Sequence, residues 1–244
     1  PGHKDFSEDT YRTLTAVESV LMMIDSAKGV EAQTIKLMEV CRLRDTPIVT
    51  FMNKFDRDAM DPFELLDNLE KILNIQCVPM TWPIGDGVDF KGVFDLRTKQ
   101  IQNFKESKDP LNPVVVDASD LDSEQVKKLV PGHLLEKLKN DLEMIEELIS
   151  PLDSKEYLAG IQTPVFFGSA LSNFGVKETL DAISEMSPGP AKREVKLAPY
   201  DENAETRTIE PSEKKFSGFI FKIQANMDKR HRDRVAFMRV CSGR

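Results

Sequence analysis

The chain has 244 residues, 40% of them hydrophobic and 30% charged, with a net charge of −8. That length suffices for one large domain and part of another, and the acidic balance argues against a general nucleic-acid coat, which would be strongly basic. No run approaches a membrane-spanning length, no secretory leader is recognisable, and Cys41, Cys77 and Cys241 are too widely spaced for a zinc site or a disulfide frame. The expectation is a cytoplasmic protein with reduced core thiols, bound to neither membrane nor DNA.

In chain order, residues 19–25 form a short continuous apolar run, the pattern of a strand buried on both faces. Residues 31–43 read as a helix with Ile35, Met38 and Cys41 towards one side, and 47–52 as the next strand. Asp61-Pro62 opens a further helix, with Asp capping and Pro in the first turn, and its stripe is Leu65, Leu66, Leu69, Ile72 and Leu73. Residues 77–82 are a third apolar run and 163–168 a fourth, followed by a helix over 176–186. Strands alternating with helices predict an α/β fold, a mainly parallel sheet with helices on both faces. Ligands of such sheets sit beyond the carboxyl ends of the strands, where Asp25, Asn53 and Ser169 lie.

Residues of about 84–160 interrupt the alternation. Short strands are expected at 90–96, 100–104 and 113–116, then a long amphipathic helix carrying Leu134, Leu135, Leu138, Leu142, Ile145 and Leu148 on one side. This is an α+β insertion with a solvated outer face. From 188 to 213 the texture turns to Pro188, Pro190, Pro199, Pro211 and many charges, an interdomain linker. Strands are expected at 216–223 and 234–240, joined by the basic turn 226–232, which is either a solvated hairpin loop or a contact to RNA phosphates. Two strands make no independent core, so residues 214–244 are expected to begin a β-barrel domain after a first domain over 1–187.

Asn53-Lys54-Phe55-Asp56 directly follows the 47–52 strand. At that place the Asp carboxylate can accept both N–H donors on the Watson–Crick edge of guanine, and the Asn amide can reach its N7 and O6 side. Adenine would set a lone pair against Asp56. A buried polar group left unpaired costs about 1–3 kcal/mol, enough to set base identity. Ser169-Ala170-Leu171 follows the 163–168 strand, and the backbone N–H of Ala170 can donate to guanine O6. Pro1-Gly2-His3 stands at the amino end. Singly, His3 would be an exposed terminal histidine; ahead of the other two motifs it gains a functional reading.

Pro1-Gly2-His3 resembles the end of the D-x-P-G-H segment of translational GTPases, in which the Gly amide meets the γ-phosphate and the His orients the attacking water. The whole chain resembles bacterial peptide chain release factor 3, a GTPase family close to elongation factor G. Residues 6–14, 219–228 and 231–240 look like the release-factor form. The resemblance implies a P-loop-type GTPase domain that uses GTP/GDP and Mg²⁺. It implies His3 as the catalytic residue, and Pro1, Gly2, His3, Asn53, Lys54, Asp56, Ser169, Ala170 and Leu171 at the nucleotide. It also implies the ribosome and class I release factors as partners. The chain contains no G-x-x-x-x-G-K-[ST] phosphate loop, so it is expected to be a fragment that is inactive alone. A translocation GTPase like elongation factor G is the near alternative. A non-catalytic guanine-nucleotide or ribosome-binding module is the alternative of a different class.

Overall fold

The computed structural model describes residues 7–105, 112–198, 203–225 and 234–243. Pro1, Gly2, His3 and the basic turn 226–232 lie outside them. The chain divides into two units, one of residues 19–187 and one of 1–18 with 188–244. In chain order the described helices are α1 (Ser7–Leu14), α2 (Ala32–Arg42), α3 (Pro62–Leu73), α4 (Glu124–Leu129), α5 (Gly132–Leu148), α6 (Ser154–Leu158) and α7 (Val176–Met186). The strands are β1 (Val20–Asp25), β2 (Ile48–Asn53), β3 (Gln76–Pro79), β4 (Thr81–Ile84), β5 (Gly92–Asp95), β6 (Gln100–Asn103), β7 (Val114–Asp117) and β8 (Gln162–Phe167). They continue with β9 (Arg193–Lys196), β10 (Thr206–Ile209), β11 (Ser217–Ala225) and β12 (Arg234–Ser242).

The larger unit is built on a four-stranded sheet in the order β1-β2-β8-β3, every pair parallel. Its central strands are buried on both faces: β8 is buried along its whole length, as is β2 up to Asn53. The helices begin where the sequence supplies a start. The Asp61 carboxylate accepts from the Phe63 amide at 2.9 Å and Pro62 fills the first helical position of α3. Leu65, Leu66, Leu69 and Leu73 of its stripe are buried, while Ile72 is 42% exposed. Val49, Phe51, Val78, Phe166, Tyr157 and Ala182 form a core between the sheet and its helices. Each such large side chain taken from water contributes about 1.5–3 kcal/mol.

The insertion is a second four-stranded sheet, β4-β5-β6-β7, every pair antiparallel. Here one expectation fails. The run 77–82 is not a single strand: it ends one sheet and begins the other, breaking at Met80. The Met80 amide donates to Val165 O in the parallel sheet at 2.8 Å, and its carbonyl accepts from the Leu96 amide of the insertion at 3.0 Å. An uninterrupted apolar run conceals the break because both sheets bury all of it. On α5, Leu135, Leu138 and Ile145 are buried as expected, but Leu148 is 72% exposed.

In the smaller unit β9 and β10 form an antiparallel pair within the Pro-rich stretch, and β11 pairs with β12 antiparallel. Glu18, just beyond α1, accepts from Arg193 at 3.0 Å and from Arg239 at 2.8 Å. One carboxylate oxygen thus joins the segment after α1 to β9 and β12.

Candidate nucleotide-binding site

The four parallel strands deliver their carboxyl ends to one edge, and β1 and β2 finish level, with Asp25 opposite Asn53. The Asn53-Lys54-Phe55-Asp56 turn and the loop after β8 meet at that edge through three bonds. The Gly168 amide donates to Met52 O at 3.0 Å, the Phe55 amide to Gly168 O at 3.0 Å, and the Ala170 amide to Asn53 Oδ1 at 2.9 Å. The structure therefore brings Asn53, Lys54, Asp56, Ser169, Ala170 and Leu171 together.

The loop is closed on itself by reciprocal backbone bonds between Ser169 and Phe174, each 2.9 Å, while the Ser169 hydroxyl accepts from the Ser172 amide at 3.3 Å. That closure needs backbone where side chains would stand. A Cβ on Gly168 would lie 2.0 Å from Phe174 O, and one on Gly175, which has φ +71°, would lie 2.3 Å from Phe167 O. Ser169 is wholly buried, whereas Ala170 and Leu171 face out, Leu171 with 79% of its surface exposed.

Asn53 uses its side-chain carbonyl twice, accepting from the Lys54 amide at 2.9 Å as well as from Ala170. With Oδ1 fixed, the Nδ2 donors are the part of the amide left to offer. The Asp56 carboxylate is half-buried and makes no hydrogen bond or ion pair with the described residues. The site thus presents an acceptor-only carboxylate and an oriented amide donor, the complement of a guanine edge. The Ala170 amide, expected at O6, is engaged with Asn53 and can reach such an oxygen only by sharing its hydrogen.

Phe55, the position the motif leaves open, is the anchor of the turn. It is buried, and its ring meets Phe167 edge-on at 5.3 Å and Phe90 at 6.1 Å. Phe90 in turn lies 5.9 Å from Phe174, which stacks on Phe104 at 5.0 Å. Rings of the insertion therefore pack against both loops of the candidate site.

Asp25 is the member of this edge that the motifs do not name. Its carboxylate pairs with the Lys54 ammonium and accepts from the Ala27 amide at 3.0 Å. Partial burial pushes its acidity towards the neutral form, but the Lys54 bond, the Ala27 amide and the charges of Lys54 and Lys28 together hold it below the ordinary carboxylate range. Its place at the end of the first apolar run was the signal the sequence offered. Ser26 follows it, buried, donating its amide to Asn53 O at 2.9 Å and accepting from the Met60 amide at 2.9 Å.

The parallel sheet, its covering helices and the antiparallel strands after them define an α/β protein of P-loop GTPase type. A model of the Elongation factor Tu GTP binding domain matches residues 1–189, and one of Elongation factor G domain 2 matches residues 215–244. The chain belongs to the Elongation factor Tu GTP binding domain family, the translational GTPases. Its fold is shared with the crystal structure of ttk003000868 from Thermus thermophilus at a TM-score of 0.65 and 19% identity. That match covers 100% of this chain and 34% of the other, so the chain spans about a third of its length.

Proposed function

We propose that the complete protein is a GTPase of translation termination, which binds the ribosome in the cytoplasm and promotes departure of class I release factors as GTP becomes GDP. The observation that carries guanine recognition is the junction of Asn53 with the Ala170 amide beside an Asp56 unengaged by the described residues. Asp56 accepts the two N–H groups of the guanine edge, and the Asn53 Nδ2 donates towards N7 and O6. Lys54, Ser169, Ala170 and Leu171 frame them. Termination is supported by residues 6–14, 219–228 and 231–240, which resemble the release-factor form. Gly2 would meet the γ-phosphate and His3 would position the attacking water.

Neither Mg²⁺ nor a phosphate cradle fits the described residues of this chain. It has no G-x-x-x-x-G-K-[ST], and no three potential metal-ligating side chains converge among the described residues. A second reading, a translocation GTPase, is favoured by the match of residues 215–244 to Elongation factor G domain 2.

Ribosome-stimulated turnover by the complete protein separates these readings. A termination GTPase accelerates loss of a class I release factor from post-release ribosomes and does not translocate them; translocation without that loss supports the second reading. His3→Ala should lower ribosome-stimulated hydrolysis by about 100-fold or more with GDP affinity nearly unchanged.

A further inference from the structure

We infer that Asp25 is a positioning residue for the guanine site, acting by holding Lys54 in a backbone conformation that aims Asn53 and Asp56. The inference rests on the guanine reading and deepens it. Lys54 has φ +76°, in the left-handed region that side-chain-bearing residues rarely enter. Such a conformation persists only where its surroundings over-determine it. The restraints on Lys54 are identifiable. Its amide is tied to Asn53 Oδ1, its carbonyl accepts from the Arg57 amide at 3.0 Å, and its ammonium is held by Asp25.

Only the last of these comes from another strand. Asp25 is fixed independently of the turn: it ends β1 in register with Asn53, and its own carbonyl accepts from the Gly29 amide at 2.8 Å while its carboxylate caps Ala27. Its side chain is 14% exposed against 44% for Lys54, so the carboxylate is the buried, stationary partner and the ammonium the one brought to it. Lys54 stands directly after Asn53 and two residues before Asp56. A change in its backbone therefore redirects both groups that face the base.

The test measures displacement of a fluorescent GDP analogue from the complete protein by GDP and by xanthosine diphosphate. Asp25→Ala should weaken GDP by about tenfold. Asp25→Glu, which keeps the acceptor for Lys54, should recover most of the loss. Adding Lys54→Gly to Asp25→Ala should also recover part of it, because glycine holds a positive φ without restraint. A residue needed only for folding would be rescued by neither change. GDP affinity within twofold of the parent in Asp25→Ala, with the parent still preferring GDP to the xanthine nucleotide, overturns the role of Asp25 and leaves the guanine site standing. Loss that neither second change repairs overturns the positioning account as well. A parent that does not prefer GDP removes the guanine reading, and this inference falls with it.

Discussion

The side-chain carbonyl of Asn53 accepts the backbone amide of Ala170 at 2.9 Å, joining residues 117 positions apart. One bond thereby fixes the rotation of the Asn53 amide and the height of the loop after β8. The same carbonyl also takes the Lys54 amide, so the donor end of Asn53 must point outward. In the proposed guanine site, the groups that would meet the base are thus set by their neighbours.

Asn53→Asp separates those two roles. The carboxylate keeps an oxygen for both amides, so the thermal midpoint should stay close to that of the parent. It removes the Nδ2 donor and sets a negative charge against the N7 and O6 acceptors of guanine. GDP affinity of the complete protein should fall by about 100-fold, the scale of a charged group facing an unmatched partner. Calorimetric titration alongside a melting curve checks both halves.

Gly168→Ala should act on the loop itself. Its methyl would stand 2.0 Å from Phe174 O and 3.0 Å from Phe51 Cζ, and backbone cannot yield as a flexible side chain can. The reciprocal Ser169–Phe174 bonds would open, at a cost of about 1–3 kcal/mol. Chemical denaturation should show a lowered midpoint with an unchanged slope.

Glu178, on the first turn of α7, is buried with Oε2 lacking a partner among the described residues. Burial pushes its carboxyl above the ordinary 4.5; its own amide and Lys177 oppose this, while Asp181 and Asp95 add to it. The folded protein therefore holds the proton more tightly than the unfolded chain. The stabilising contribution is complete below the ordinary value and is lost as pH rises through the folded one. Glu178→Gln should melt higher than the parent at pH 7, and the advantage should disappear on acidification below about 4.5. Melting curves across that range test the sign.

The parallel half of the fold was legible because it is written in local chemistry. Asp61-Pro62 announces α3, and the stretch 176–186 coincides with α7. What stayed hidden depends on partners distant in sequence. The break at Met80 follows from pairing with Val165 on one side and Leu96 on the other. The strands β9 and β10 lie in charged, Pro-flanked stretches where no alternation marks them. At the site, the motifs pointed to Asn53, Asp56 and Ala170, and the structure joins Asn53 directly to the Ala170 amide. The pairing of Asp25 with Lys54 needed the register of two strands, and the anchoring of Phe55 needed rings from the insertion.

The most direct test of guanine recognition is the base preference of Asp56→Asn in the complete protein. The parent Asp56 carboxylate offers only acceptors to the two N–H groups of guanine. The amide can instead donate to the 2-oxygen of xanthine. Competition binding with GDP and xanthosine diphosphate should show guanine affinity reduced by about 100-fold or more and xanthine affinity raised, inverting the preference. Unchanged GDP affinity in that variant would contradict the account.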